Sequence, residues 1–204
     1  MTSLSKQKLI KLIEGAIFAS SSPLSLMKIK QQLLVEYTVS HQQVLNAIAE
    51  ISLVYKDRAI NLVEVASGYR FQVVDSIASD IAVLFQEKAP KYSRAILETL
   101  ALIAYRQPIT RGEIEDVRGV SVSSHLIKTL LERDWIKEVG HKEVPGRPAL
   151  LATTKEFLDY FSLKSLAQLP QLMPLSESSL TDIEMQLANS ESEESTQKRE
   201  TETK

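Results

Sequence analysis

The sequence contains no cysteine. That absence removes disulfides, thiolate metal sites and thiol nucleophiles together, and it suits a reducing compartment. Aromatic residues are sparse at 6%, with a single tryptophan, which leaves the aliphatic residues to build any core. No apolar run approaches the ~20 residues that a membrane-spanning helix needs. Lys6, Lys8 and Lys11 precede an apolar stretch ending at Ala19, but Glu14 and Gly15 interrupt it and its period is helical. A secretory leader is therefore not expected. Phosphate cradles are missing too, with no G-x-x-x-x-G-K-S/T and no G-x-G-x-x-G. His41, His125 and His141 fall in different predicted elements with no H-x-x-x-H pair, so neither metal nor cofactor is expected. The carboxylates of Glu113-Ile-Glu-Asp116 occupy a first helical turn, where they meet the helix dipole rather than form an acid–base pair. These residues read as a non-enzyme.

A strong charge of one sign is also lacking, since the net charge is −2. Residues 1–88 carry nine Lys/Arg against eight Asp/Glu, and residues 89–171 carry twelve against ten. The acidity sits in residues 172–204, with three against eight. A dedicated duplex binder shows a clear positive excess on the domain that docks, and neither half does.

What is present is periodicity. Ile96, Leu97, Leu100, Ile103 and Ala104 form one helical stripe, which Pro108 stops because it lacks an N–H. Thr110 and Glu113 are spaced as a capping box for a second, short helix ending at Gly119. Leu126, Ile127, Leu130 and Leu131 predict a third helix leading to Trp135. Ile136–Val139 and Ala149–Ala152 then read as strands around a Pro/Gly-rich loop, a wing. Thr153 and Glu156 predict a capped last helix through Phe157, Leu158 and Phe161.

The first half echoes this order. Leu9, Ile10, Leu12, Ile13, Ala16 and Ile17 give a helix, followed by Pro23-Leu-Ser-Leu-Met-Lys-Ile29. That stretch parallels Pro108-Ile-Thr-Arg-Gly-Glu-Ile114, both reading Pro, aliphatic, hydroxyl, three residues, Ile. Ser40 caps a helix through Val44, Leu45, Ile48, Ile51 and Tyr55. Asn61–Ala66 and Arg70–Val74 alternate around Ser67-Gly68 as a hairpin, and Ile77 to Phe85 continue as a closing helix to about Lys88. The predicted fold class is mainly α with small β-hairpin wings, in two tandem winged helix-turn-helix domains. The expected boundaries are 1–88, a linker at 89–92, 93–171, and an acidic, disordered tail at 172–204 in which Leu180, Ile183 and Leu187 allow one short helix.

Leu97-Glu-Thr-Leu-Ala-Leu-Ile-Ala-Tyr-Arg-Gln-Pro-Ile-Thr-Arg-Gly-Glu-Ile-Glu-Asp-Val-Arg-Gly-Val120 resembles the signature of the segregation and condensation protein B family. So do Thr129-Leu-Leu-Glu-Arg133, Val144-Pro-Gly-Arg-Pro148 and Phe157-Leu-Asp-Tyr-Phe161, and the resemblance covers roughly residues 8 to 171. Asp134 stands where a helix-ending Gly is expected, and Asp tolerates left-handed geometry better than most residues. The pair Leu151-Ala152 replaces an aromatic-small pair. The resemblance implies an accessory subunit of the bacterial SMC complex, acting in chromosome condensation and partition in the cytoplasm, at the nucleoid. Such a subunit homodimerises chiefly through its N-terminal domain and binds the kleisin, segregation and condensation protein A (ScpA), through its C-terminal domain. The SMC ATPase is reached through the kleisin and carries the hydrolysis.

The residues add candidates for both contacts. Arg and Tyr are enriched in interface hot spots, which singles out Arg94, Tyr105, Arg106, Arg111, Arg118 and Arg147. Pro145, Gly146 and Pro148 stiffen the loop around Arg147 into a low-entropy docking surface. Leu9, Ile10, Leu12, Ile13 and Ile17 give the first helix more apolar surface than one small core needs, and are candidates for dimerisation. A transcription regulator reading DNA is the competing class. The third helices oppose it, since they are expected to present His41, Gln42, Asn46, Ala47 and Glu50 in one half and Ser124, His125, Lys128, Thr129 and Glu132 in the other. DNA contact is expected to be at most weak and non-specific.

Overall fold

The computed structural model describes residues 3–85 and 92–171. The expected linker up to residue 91, the extension of the closing helix to Lys88 and the acidic tail with its short helix lie outside the described residues. One compact unit spans Met1–Leu169, and the remainder of the chain is described only at Pro170 and Gln171. The described fold is mainly helical with two small antiparallel sheets.

In the first half, Ser5 caps α1 (Lys6–Ala19), which buries Leu9, Ile13 and Ile17 at a spacing of four along one face. A short α2 (Leu26–Lys28) runs into a π-helical turn at Ile29–Leu33. Next, α3 (His41–Tyr55) opens on a full capping box, in which Ser40 Oγ accepts the Gln43 N–H while Gln43 Oε1 accepts the Ser40 N–H at 2.7 Å. It buries Val44, Ala47, Ile48 and Ile51 against α1, with Ile29 and Leu34 completing the core. The hairpin β1 (Ile60–Val65) and β2 (Gly68–Val73) covers its edge and leads into α4 (Asp75–Ala82).

The second half runs α5 (Arg94–Arg106), β3 (Ile109–Thr110), α6 (Arg111–Arg118), α7 (Ser124–Glu132), β4 (Ile136–His141), β5 (Ala149–Thr153) and α8 (Lys155–Tyr160). The strands pair in the order β3-β5-β4, with a bulge between Glu138 and Gly140. Leu100, Ile103, Ile114, Val122, Leu130, Trp135 and Phe157 form its core, which has no residue in common with the first.

The sequence echo has a structural counterpart. Leu24 pairs with Tyr69 of β2 through two backbone bonds of 2.8 and 3.0 Å, as Ile109 pairs with Leu151 of β5. Ser25 and Thr110, the hydroxyl positions, each cap the helix that follows, and Ile29 and Ile114 are both fully buried. Gly68 permits the first pairing. Its φ of 142°, and a Cβ position only 2.4 Å from the Leu24 carbonyl, exclude any side chain there.

Three local expectations are corrected. Ala47, expected to face solvent on the third helix, is 2% exposed and belongs to the first core. The cap of the last helix is Thr154, whose side chain accepts the Phe157 N–H at 3.1 Å. Thr153 instead ends β5, where its N–H and hydroxyl meet Gln107 Oε1 at 2.8 and 3.1 Å. Strand β4 also extends to His141, past the expected Val139, because the bulge restores its register.

Candidate functional site

An apolar groove of about 310 Å³ runs between α5 and α8. Leu97, Ala101 and Tyr105 recur every fourth residue along α5 and form one wall, with Leu100 and Ala104 beneath them. Phe157, Phe161, Leu163 and Leu169 form the other. Leu97 and Phe161 are 44% and 40% exposed, so water now covers apolar surface that a partner could cover instead. Phe161 also packs on Trp135, whose ring centroid lies 5.5 Å from its own and 4.7 Å from that of Tyr160, and Arg133 stacks over Tyr92 at 4.9 Å. The Tyr92 hydroxyl takes a bond from Arg133 at 3.1 Å and lies 3.1 Å from that of Tyr160. The contact with Tyr92 is the main cause raising the Tyr160 phenol above its ordinary value.

Of the expected contact residues, Tyr105 lines this groove. The arginines divide by what they hold. Arg118 is a correction, because its side chain is 10% exposed and its guanidinium clamps α6 to Glu98 of α5 at 2.9 Å. So little of the side chain is exposed that Arg118 serves first as a tie between the two helices. Arg94 meets the same carboxylate at 2.7 Å, and the two arginines, Arg94 first, lower the Glu98 pKa. Arg111 bonds Glu115 and the Ser124 hydroxyl, each at 3.0 Å, tying α6 to the start of α7. Arg106 lines a separate cleft of about 290 Å³ with Pro108, Glu113 and Asp116. Arg147 pairs with Glu143 at 3.1 Å. It stands in an exposed turn where Pro145 and Gly146 (φ 84°) precede it and its N–H reaches the Val144 carbonyl at 2.9 Å. Lys142 closes that loop, with its N–H on the Pro148 carbonyl at 2.9 Å and its ammonium 2.6 Å from Glu113.

The dimerisation candidates divide as well. Leu9, Ile13 and Ile17 are 4%, 0% and 3% exposed, consumed by the protomer's own core, so they have no surface to offer a second subunit. Ile10 and Leu12 are half-buried, and Phe18 at the end of the same helix is 76% exposed. Sequence periodicity could not rank these faces, because all of them are apolar positions on one amphipathic helix.

Electrostatics bears on the nucleic-acid alternative. On α7, Lys128 lies 3.6 Å from Glu132. Arg111, Lys142 and Arg147 likewise face carboxylates of their own half, whereas Arg133 stacks on Tyr92 and Lys137 on β4 forms no ion pair among the described residues. Each of those pairs leaves less positive charge for a phosphate to meet. Among the described residues no group of three or more His, Asp or Glu side chains could hold a metal ion, and no helix is long and apolar enough to cross a membrane.

A family model described as segregation and condensation complex subunit ScpB matches residues 11–172. A segregation and condensation protein B homolog of Coxiella burnetii is 52% identical over 160 residues, 78% of this chain and 77% of that protein. Segregation and condensation protein B of Desulforamulus reducens is 41% identical over 162 residues, 78% of this chain and 87% of that protein. Among solved structures, ScpB from Mycobacterium tuberculosis is 30% identical, with 79% of this chain and 99% of that one covered and a TM-score of 0.36.

Proposed function

The chain belongs to the segregation and condensation protein B family, and from that premise we propose that it is a non-catalytic, cytoplasmic scaffold of a bacterial SMC–kleisin complex. Each half is a winged helix. The first, to residue 88, carries self-association through the apolar surface that α1 leaves outside its core. The second, from residue 93, holds a segment of the kleisin ScpA. The observation that carries this reading is the α5–α8 groove, apolar on both walls and with Tyr105 in one of them, on a half where Arg111, Lys142 and Arg147 already face carboxylates. Such a surface suits an apolar stripe of another polypeptide and suits a polyanion poorly.

The test mixes the purified chain with a kleisin segment and follows amide hydrogen exchange. Protection is expected in residues 97–105 and 157–163, with Leu97→Glu abolishing it while circular dichroism stays unchanged. An absence of protection anywhere in residues 94–163 would sink the proposal. Tight, sequence-selective capture of duplex DNA at physiological salt would favour the transcription-regulator alternative.

A further inference from the structure

Helix α8 ends in a left-handed turn. Ser162 (φ 56°) donates its N–H to the Asp159 carbonyl at 3.2 Å, and Leu163 donates to the Leu158 carbonyl at 2.7 Å. Glycine is the usual occupant of this position, because it has no Cβ to clash. The same geometry ends α7, where Asp134 (φ 54°) takes the position. A serine gives up backbone ease at such a place, and what it brings is a hydroxyl.

That hydroxyl reaches the other half of the molecule. It donates to Gln72 Oε1 at 3.0 Å and accepts from Arg70 Nη2 at 3.0 Å, both on β2. The neighbouring residues join it. The Leu163 carbonyl accepts the Ala66 N–H at 3.0 Å, and Asp159 Oδ1 accepts the Ser67 N–H at 3.0 Å. Lys164 lies 2.5 Å from Glu64. Four residues within the stretch 159–164 of one half therefore meet a single hairpin of the other through hydrogen bonds and an ion pair, and the two apolar cores share no residue.

We propose that this contact is a polar latch that holds the two halves in one arrangement and releases them as intact units, with Ser162 as its positioning residue. Water can replace each of these bonds, so release costs little, though enough to leave the latched state dominant. Removing one set of contacts shifts their ratio by about 5- to 30-fold.

The test uses the full chain, whose lack of cysteine leaves Ala49→Cys and Lys128→Cys as the only thiols for paired spin labels. Labelled chain is diluted with excess unlabelled chain, so that the distances measured are within one protomer. A narrow distance distribution is expected for the parent. Asp159→Ala and Ser162→Gly are each expected to broaden and lengthen it, as is raised salt. Ser162→Gly is decisive, because it relieves the left-handed strain and keeps the helix end while deleting the hydroxyl. A latch predicts broadening with no fall in thermal midpoint. A purely local capping role predicts an unchanged distribution with a raised midpoint, and that result overturns the proposal. So does a parent distribution that is already broad. Should Asp159→Ala fail to fold, Glu64→Lys on the exposed edge of the hairpin carries the same expectation of broadening.

Discussion

Glu113→Ala should destabilise the second half by about 1–2 kcal/mol, because this one carboxylate joins three elements. Its Oε2 accepts the Thr110 N–H and the Thr110 hydroxyl, each at 2.8 Å, and its Oε1 meets Lys142 of the hairpin loop at 2.6 Å. The Lys142 contact, followed by the Thr110 backbone N–H, pulls its pKa from 4.5 to about 2. Unscreened, a shift of that size corresponds to about 3 kcal/mol. The side chain is 39% exposed, however, and pairs in such surroundings contribute about 0–1 kcal/mol. The capping box adds about 0.5–2 kcal/mol. Both routes meet near 1–2 kcal/mol, or roughly 5–15 °C for a unit of this size. The sign with pH follows from the depressed pKa. The stabilisation is complete above about pH 4.5 and is lost as pH falls through about 2, so the parent and Glu113→Ala should converge in acid. Urea unfolding followed by the Trp135 fluorescence measures this directly. A gap that persists undiminished near pH 2, or one below about 0.3 kcal/mol at neutrality, refutes the reasoning. A double-mutant cycle with Lys142→Met isolates the ion pair, and a coupling above about 2 kcal/mol would show that solvent screens it far less than its exposure implies.

Two further outcomes follow from the packing. Gly68→Ala should cost more than about 2 kcal/mol, since the new Cβ would meet the Leu24 backbone at 2.4 Å. Gly119→Ala, at φ 69° in open space, should cost only the left-handed penalty of about 1–2 kcal/mol, and equal losses in thermal midpoint would contradict the close-approach argument. Leu130→Ala, at a fully buried position, should cost about 2–5 kcal/mol. It should shift the tryptophan transition while leaving exchange protection in α1 and α3 intact. Simultaneous loss of protection in both halves would contradict the separation of the cores.

The helices and their caps were legible because each rests on local chemistry. The Thr110–Glu113 box, the stop at Pro108 and the end at Gly119 all involve residues within a few positions of one another. The cap at Thr154 was displaced by one because Thr153 answers to Gln107, 46 positions away, and no local pattern carries that bond. The same holds for the site. Tyr105 stood out by residue type, whereas Leu97 read as an ordinary member of the core stripe, Phe161 as part of the closing helix, and Ala101 carried no signal of its own. Arg118 read as a surface cation because its burial depends on how α6 crosses α5. Leu9, Ile13 and Ile17 read as candidates for dimerisation because amphipathic spacing does not reveal how far one core extends.

Leu163 faces in two directions at once. Its side chain forms part of the groove wall, and its carbonyl takes the Ala66 N–H from the opposite hairpin. On the proposed reading, a guest wedged against that leucine would push on the joint between the halves without ever touching the first of them. Seating a guest and swinging the far half would then be coupled through a single peptide unit.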